Sequence, residues 1–505
     1  MPKKKKSIAR SRDEKLIGIN EAVQLLGVSR PTFYRWLRSG KIKGMKVGRQ
    51  WRFHRDDIER FLKGEAPRID LPADISPLLG ELAARLKERA GKQIEISGES
   101  EIEQAVRLII ALGIASRASD IHFAPQMTSA CTEPETILRL RIDGVLHQIA
   151  TVDSKLMSPI VEQWKRMADC DVSLKKRPQE GRILVKFPEL TGREDKIIDI
   201  RCQFLPTGLG ESVTARILDT EAVTLELSKI KYALHDMERL RKALRQPWGL
   251  IVLTGPTGSG KTTVLYSCLN ELTGPERKTV SIEDPIEYYL PWVNQVAVDE
   301  ASGLTFSQAV KASFRTDPDV IAIGEIRDRE TLEGALNSSL TGHIVLTQMH
   351  ADEAAGALNR MISIGCEPFK VAEATKLVLS QRLVRRLCPE CSEKWKPSAE
   401  ELQFMKKKTE AGGLDWESLD KNFRKPVGCA KCGKTGWVRR NVIAEVLEVT
   451  PRIENALKEN ATIDEIRAIA TEEGMTTMTA DGMRRVANGD TSLDEVMRVL
   501  GIAFD

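Results

Sequence analysis

The stretch Gly255-Pro-Thr-Gly-Ser-Gly-Lys-Thr-Thr263, entered from the apolar run Gly249-Leu-Ile-Val-Leu253, decides the fold of most of this chain. It matches Gly-x-x-x-x-Gly-Lys-[Ser/Thr] in full, with Gly255, Gly260, Lys261 and Thr262 at the fixed positions. Glycines let a loop curl until its backbone N–H groups converge on one phosphate chain. A helix opening at Lys261 would add the positive end of its dipole. Gly255, Pro256, Thr257, Gly258, Ser259, Gly260, Lys261, Thr262 and Thr263 are therefore the expected ATP-binding set. Lys261 should reach the β and γ phosphates, and the Thr262 hydroxyl should bind Mg²⁺. Further on, Asp317-Pro-Asp-Val-Ile-Ala-Ile-Gly-Glu325 reads as a short apolar strand ending in a carboxylate, and Glu325 is expected to orient an attacking water.

At 505 residues the chain should hold several domains, since single cores rarely grow beyond about 250 to 300 residues. The sequence contains no run of 18 apolar residues, which excludes an ordinary membrane-spanning helix. Met1-Pro-Lys-Lys-Lys-Lys6 has no apolar segment after it, so it does not read as a secretory signal, and the expected location is the cytoplasm. Charge is uneven: residues 1–64 hold 18 Lys plus Arg against 6 Asp plus Glu, a net +12, which leaves −8 on the remainder of a +4 chain. A basic head on a mildly acidic body points to an anionic partner for the head.

Of nine cysteines, Cys131, Cys170, Cys202, Cys268 and Cys366 stand singly. Cys388-Pro-Glu-Cys391 and Cys429-Ala-Lys-Cys432 form two pairs at metal-ligand spacing, with 37 residues between them. Without secretory context these predict a structural tetrahedral Zn²⁺ site in an inserted lobe, since four thiolates leave no open position for catalysis.

Residues 16–63 read as a small helix-turn-helix with a wing. Asn20 is expected to cap a first helix that Gly27 ends, and Ser29 a second helix that Ser39-Gly40 stops. Lys46 to Phe53 follows as a basic wing, and Arg55 to Phe61 as a closing helix. Through Ala22, Gly27-Val-Ser-Arg30, Gly40-Lys-Ile42, Val47-Gly-Arg49 and Trp51-Arg-Phe53 this segment resembles the excisionase-like or MerR-like winged helix-turn-helix family. The resemblance implies that Thr32, Arg35 and Arg38 could face a major groove of duplex DNA, with Arg49 and Arg52 near phosphates. The other reading of this head is a protein-docking module.

Pro67, Pro72 and Pro77 precede a helical stretch from about Leu78 to Lys92, and the prolines predict a semi-stiff linker. An α+β region with recurring arginines on short strands follows. Together with the phosphate loop, Ile282-Glu-Asp-Pro-Ile-Glu287, Gly303-Leu-Thr-Phe306, Arg315-Thr-Asp-Pro-Asp319, Gly324-Glu-Ile-Arg-Asp328, Thr341-Gly-His-Ile-Val-Leu346, His350, the cysteine pairs, Gly436-Trp-Val-Arg439, Glu445, Gly474-Met475, Asp481-Gly482 and Gly489, residues 99–505 resemble the ATPases that power type II secretion and type IV pilus assembly.

The resemblance implies an α/β multidomain protein: a RecA-like P-loop ATPase core preceded by a PAS-like α+β domain, with the winged helix-turn-helix in front and a zinc-pinned lobe behind. The expected domains are 1–64 winged helix-turn-helix, 65–97 linker, 98–225 PAS-like domain, 226–385 RecA-like core, 386–440 zinc lobe and 441–505 helical region. It implies a hexameric, Mg²⁺-dependent motor acting on an inner-membrane platform protein, hence a peripheral position at that membrane. By the same resemblance Glu283 and Asp284 form an acidic box supporting metal and water, His343 and His350 a histidine box, and Arg182 and Arg201 approach the γ-phosphate. The zinc lobe points to assembly or secretion rather than pilus retraction. The alternatives are a DNA-binding regulator with an ATPase oligomerisation switch and a DNA-directed motor.

Overall fold

The computed structural model describes residues 16–38, 41–42, 44–47, 50–62, 73–129, 133–193, 195–218 and 226–504. Arg49, Cys131, Ser39-Gly40, Pro67 and Pro72 lie outside them. The chain divides into two compact units, residues 1–219 and 220–505.

The first unit begins with β1 (Leu16–Gly18), α1 (Ile19–Leu26), α2 (Arg30–Arg38), β2 (Met45–Val47), β3 (Gln50–His54) and α3 (Arg55–Leu62). The strands form an antiparallel sheet in the order β1-β3-β2. Ile17, Ala22, Phe33, Leu37, Ile42, Phe53 and Ile58 build its small core, with the Phe33 and Phe53 rings edge to face at 5.1 Å. Gly27 ends α1 at φ 63°, as expected, but Gly18 rather than Asn20 holds the N-cap position, and Asn20 instead accepts a hydrogen bond from Arg30. Ser29 Oγ accepts from the Thr32 N–H at 3.4 Å, the expected cap.

Next come α4 (Ser76–Ala90), α5 (Glu101–Ala115), β4 (Ala118–Gln126), β5 (Glu135–Ile142), β6 (Val145–Val152), α6 (Ser154–Met167), β7 (Gln179–Val185), α7 (Pro188–Thr191), β8 (Ile198–Thr207) and β9 (Gly210–Leu218). The six strands make one antiparallel sheet, ordered β6-β5-β4-β9-β8-β7. Asp143 and Gly144 turn β5 into β6 with φ of 49° and 87°, the paired positive values of a tight hairpin. The linker expectation fails from Ile75 onward. Leu78, Leu82 and Leu86 recur at helical spacing, and all three are buried in the same core as Val106 and Ile109 of α5. An apolar stripe of that period outweighs the prolines ahead of it.

The second unit carries α8 (Leu234–Leu244), β10 (Gly249–Thr254), α9 (Lys261–Leu272), β11 (Thr279–Glu283), β12 (Val293–Ala297), α10 (Phe306–Ser313), β13 (Val320–Ile323), α11 (Arg329–Leu340), β14 (Ile344–Met349), α12 (Ala354–Ser363), α13 (Pro368–Ala374) and β15 (Thr375–Leu387). After β16 (Glu393–Lys394), α14 (Ala399–Ala411) and β17 (Arg424–Lys425), β18 (Trp437–Glu448) returns to the main sheet, and α15 (Pro451–Lys458), α16 (Ile463–Glu472), α17 (Met478–Ala487) and α18 (Leu493–Leu500) complete the unit. The sheet order is β12-β11-β13-β14-β10-β15-β18, parallel except for the antiparallel β15–β18 pair. On β10, Leu250 and Val252 enter one core and Ile251 and Leu253 the other, so the strand is buried on both faces.

Two boundaries differ from expectation. The sheet of the core does not end at 385, because β18 supplies its seventh strand, and residue 441 falls inside that strand. The lobe does not stand apart either: Phe404, Trp416 and Phe423 share a core with Val384 of β15, Ile443 of β18 and Met483 and Val496 of α17 and α18. No helix of the described residues is long and apolar enough to cross a membrane.

Asp236 on α8 is 1% exposed, and its carboxylate oxygens accept no hydrogen bond among the described residues, although His235 Nε2 lies 3.3 Å from Oδ1. Burial first, then the Asp481 and Glu445 charges, raise its pKa from 3.8 to about 7 against the opposing pull of Arg239 and Arg484. The folded state thus holds a proton that the unfolded chain releases, so this contribution to stability is complete below about pH 4 and is lost as pH rises through about 7. Asp236→Asn is expected to melt like wild type near pH 4 and to gain on it steadily toward pH 8, by on the order of a few kcal/mol, in thermal unfolding read across pH.

Candidate functional site

β10 ends at Thr254, and the loop beyond it turns on Gly255, Gly258 and Gly260, with φ of 138°, 79° and 89°. Only glycine adopts these angles without strain. At Gly255 space also forbids a side chain, since a Cβ there would meet the Gln381 carbonyl at 2.4 Å; one on Gly260 would come to 3.2 Å from Gln381 Nε2, a tight contact. α9 then opens at Lys261, as the sequence predicts. Lys261 is 8% exposed, and its Nζ donates to the carbonyls of Gly255 at 2.7 Å and Pro256 at 3.1 Å. Burial lowers its pKa, opposed by the charge of Glu325.

The parallel strands end together beside this loop, and their C-terminal ends carry the acids. A cleft of about 130 Å³ is lined by Thr262, Tyr266, Glu283, Asp284, Glu325 and Gln348, among others. Glu283 closes β11 and is buried. Its Oε1 accepts from Ser281 Oγ at 2.6 Å and Gln295 Nε2 at 3.0 Å, and its Oε2 accepts from the Tyr266 hydroxyl. Burial, then the hydrogen bond to Glu283, push the Tyr266 phenol well above its ordinary range, so it remains a donor. Glu325 stands two residues beyond the end of β13, which is shorter than the expected strand. The Gly324 N–H donates to the Ile282 carbonyl at 2.7 Å and the Ile326 N–H to the Gln348 carbonyl at 2.9 Å, fixing Glu325 between β11 and β14. Arg327 bridges Glu325 and Asp284, the latter at 3.3 Å, and His350 Nε2 lies 3.8 Å from Glu325 Oε2.

Thr262, Glu283, Asp284 and Glu325 are thus gathered in one cleft, with His350 beside Glu325. His343 is not there. Its carbonyl accepts from the Gly249 N–H at 3.0 Å, at the opposite end of the strands from the loop, and its Nδ1 lies 2.9 Å from the Ser338 carbonyl. Sequence reasoning missed Gln381, Tyr266, Gln295 and Arg327 as working residues. Gln381 and Gln295 come from strands that only topology brings to the site, Tyr266 sits on α9 one turn beyond Thr262, and Arg327 lies inside Gly324-Glu-Ile-Arg-Asp328.

In the first unit, direct cross-strand register aligns Arg141, Asp120, Arg216, Arg201 and Arg182 in one row across the open face of the sheet. Asp120 receives Arg216 Nε at 3.1 Å and Arg141 Nε at 3.6 Å, and Asp199 receives Arg182 through two bonds of 2.8 and 2.7 Å. The row borders a cleft of about 500 Å³. Arg182, Arg201 and Arg216 line that cleft together with Asp120 and Glu180, so its wall is arginine-rich and interleaved with carboxylates.

On α2, Arg35 and Arg38 are exposed and Thr32 half-buried, opposite the buried Phe33 and Leu37; Arg52 on β3 donates to Gln50 Oε1 at 2.7 Å. Arg49 falls outside the described residues.

Cys388, Cys391, Cys429 and Cys432 bring their sulfur atoms within 4.8 Å of one another, with no disulfide among them. The Sγ separations are 3.9 Å for Cys388–Cys429, 3.8 Å for Cys391–Cys432 and 3.8 Å for Cys429–Cys432. A tetrahedron with Zn–S bonds of about 2.3 Å has edges of about 3.8 Å, so the donor set fits zinc. Backbone N–H groups of Gly428, Cys429 and Gly436 point at the sulfurs of Cys391 and Cys432 at 3.1 to 3.3 Å, which would stabilise thiolates.

Two outcomes follow from these geometries. Gly255→Ala should lose nucleotide binding by at least about tenfold in a titration with a fluorescent ATP analogue, because both angle and space are violated. Cys388→Ser should lower bound zinc to well under one ion per chain by elemental analysis and reduce the melting temperature; unchanged metal content would remove the site.

Residues 95–498 match the family described as Type II/IV secretion system protein, and residues 16–66 match a helix-turn-helix domain. The chain is 35% identical over 461 residues to the type IV pilus assembly ATPase PilB of Thermus thermophilus, covering 88% of this chain and 50% of that one. It is 38% identical over 397 residues to the type II secretion system protein HxcR of Pseudomonas aeruginosa, covering 78% and 77%. It thus spans about half the length of the first relative and about three quarters of the second. The ATPase DotB of Legionella pneumophila shares the fold, with a TM-score of 0.55 at 18% identity over 79% of this chain and 95% of its own. With the phosphate loop and its acids in place, the chain belongs to the type II/IV secretion ATPase family.

Proposed function

We propose that this chain hydrolyses ATP as a motor for type II secretion or type IV pilus-like assembly, working as a ring of six against an inner-membrane platform protein and so peripherally at that membrane. The observation that carries the reading is the set of acids fixed at the phosphate loop: Glu283 and Asp284 on one strand end, Glu325 on the next, and Thr262 at the start of the helix. In this reading Lys261 and the loop amides hold the triphosphate. Thr262, with Glu283 and Asp284 behind it, would hold Mg²⁺, which when bound supplies positive charge between the phosphates. Glu325, aimed by Arg327 and His350, accepts a hydrogen bond from the attacking water and orients it. The six-stranded sheet is read as a PAS-like domain, and Arg182 and Arg201 as the guanidiniums that meet γ-phosphate charge when the two units close. Reopening after hydrolysis is the mechanical stroke. The cysteine lobe is read as zinc-pinned.

A second reading is favoured by the N-terminal helix-turn-helix match and the exposed Arg35 and Arg38: this head holds duplex DNA, making the chain a DNA-binding regulator or a DNA-directed motor.

Steady-state hydrolysis separates the readings. Wild type with Mg²⁺ should turn over ATP, Glu325→Gln should lose at least about a hundredfold in kcat with nucleotide affinity retained, and duplex DNA should leave the rate unchanged. A several-fold stimulation by DNA would move the second reading ahead, and full activity in Glu325→Gln would remove the glutamate from its role.

A further inference from the structure

Gln381 lies on β15, the strand beside β10, and is 2% exposed. Its side-chain amide is committed at both ends. Nε2 donates to the Ser259 carbonyl at 2.8 Å, inside the phosphate loop, and Oε1 accepts from the hydroxyl of Tyr232. Its backbone carbonyl is also the atom that forbids a side chain on Gly255. One residue therefore touches the loop at its first glycine, near its last glycine and at a carbonyl between them.

Tyr232 belongs to the segment 226–233, the first described part of the second unit. That segment is ordered by its own bonds: Lys229 N–H to the Glu226 carbonyl at 2.8 Å, Ile230 N–H to Leu227 at 3.1 Å and Tyr232 N–H to Ile230 at 2.9 Å. Arg485 of α17 donates to the Lys231 carbonyl. Burial keeps the Tyr232 phenol well above its ordinary range, so the hydroxyl is a permanent donor to Gln381.

We propose that Gln381 and Tyr232 are positioning residues that convey filling of the phosphate loop to the segment 226–233. The inference rests on the reading of residues 255–262 as the triphosphate site. A glutamine amide is a rigid plane with a donor on one arm and an acceptor on the other. When the loop closes on phosphates and the Ser259 carbonyl shifts, the amide must follow or leave a buried group unpaired. The same plane carries the acceptor of Tyr232, so the tyrosine hydroxyl moves with it and draws on a segment whose other anchor, Lys231, is held from α17. A simple brace would involve the same bonds but would leave the segment indifferent to nucleotide.

Hydrogen–deuterium exchange on the full chain distinguishes the two, measured with and without Mg²⁺ and a non-hydrolysable ATP analogue for wild type, Tyr232→Phe and Gln381→Met. In wild type the analogue should slow exchange in 255–262 and alter it in 226–233 by about threefold or more. In Tyr232→Phe the slowing in 255–262 should persist while the response in 226–233 disappears, and Gln381→Met, which also gives up the Ser259 contact, should likewise lose the response in 226–233. A wild-type segment that ignores the analogue, or a Tyr232→Phe segment that still responds, overturns the proposal. If wild-type 255–262 shows no protection, the triphosphate reading itself fails and the relay falls with it, a pattern distinct from the others. Should Gln381→Met fail to fold, Tyr232→Phe decides alone, since it removes one oxygen and keeps the ring.

Discussion

The parallel wedging of β10 between β14 and β15 is the constraint from which the rest of the second unit follows. β10 pairs with both neighbours along its length, so its C-terminal loop emerges directly against the backbone of residue 381. That backbone leaves no room for a Cβ at the loop's first residue, and the positive φ of Gly255, Gly258 and Gly260 makes glycine the fitting residue at all three. With glycine there, the loop amides are free to turn inward, and the next helix starts at the lysine. The parallel arrangement also brings the ends of β11, β13 and β14 to the same edge, which is where a protein can place acids facing a phosphate chain without building them on mobile loops.

Those acids would repel one another and drift if left to themselves. Glu283 avoids this by accepting hydrogen bonds from Tyr266, Ser281 and Gln295, which fix both oxygens. Asp284 and Glu325 are held instead by a shared cation, Arg327, whose guanidinium lies between them. The two devices differ in consequence: the first makes a stationary carboxylate, the second one whose aim depends on where the arginine sits. The first unit shows a related arrangement, a row of arginines tied to Asp120 and Asp199.

The phosphate loop, the helix-turn-helix and the cysteine pairs were legible in the sequence because each is a local pattern in which spacing alone fixes the geometry. Glu325 was legible as a carboxylate at a strand end, although the strand closes two residues earlier. Asn20 was misassigned because the chain offers a cap residue one position inside the helix, and only backbone angles show that Gly18 holds the boundary. Leu78, Leu82 and Leu86 carried a visible helical stripe that the neighbouring prolines masked. His343 and His350 look alike along the chain, but six residues of strand put them at opposite ends of the sheet, roughly 20 Å apart at about 3.3 Å per residue. Gln381 and Gln295 gave no signal at all, since their meaning comes from which strands become neighbours.

The late return of β18 to the main sheet changes what counts as the end of the nucleotide-binding body. Without residues 437–448, β15 would become an exposed edge over its length, with the Val384 side of the lobe core uncovered. Such an edge invites pairing with another chain. The cysteine lobe is therefore better described as a loop inserted between two adjacent strands than as a module appended to a finished domain. Its two cysteine pairs lie on either side of that loop, so a metal held by all four would clamp the ends of the very strands that complete the sheet.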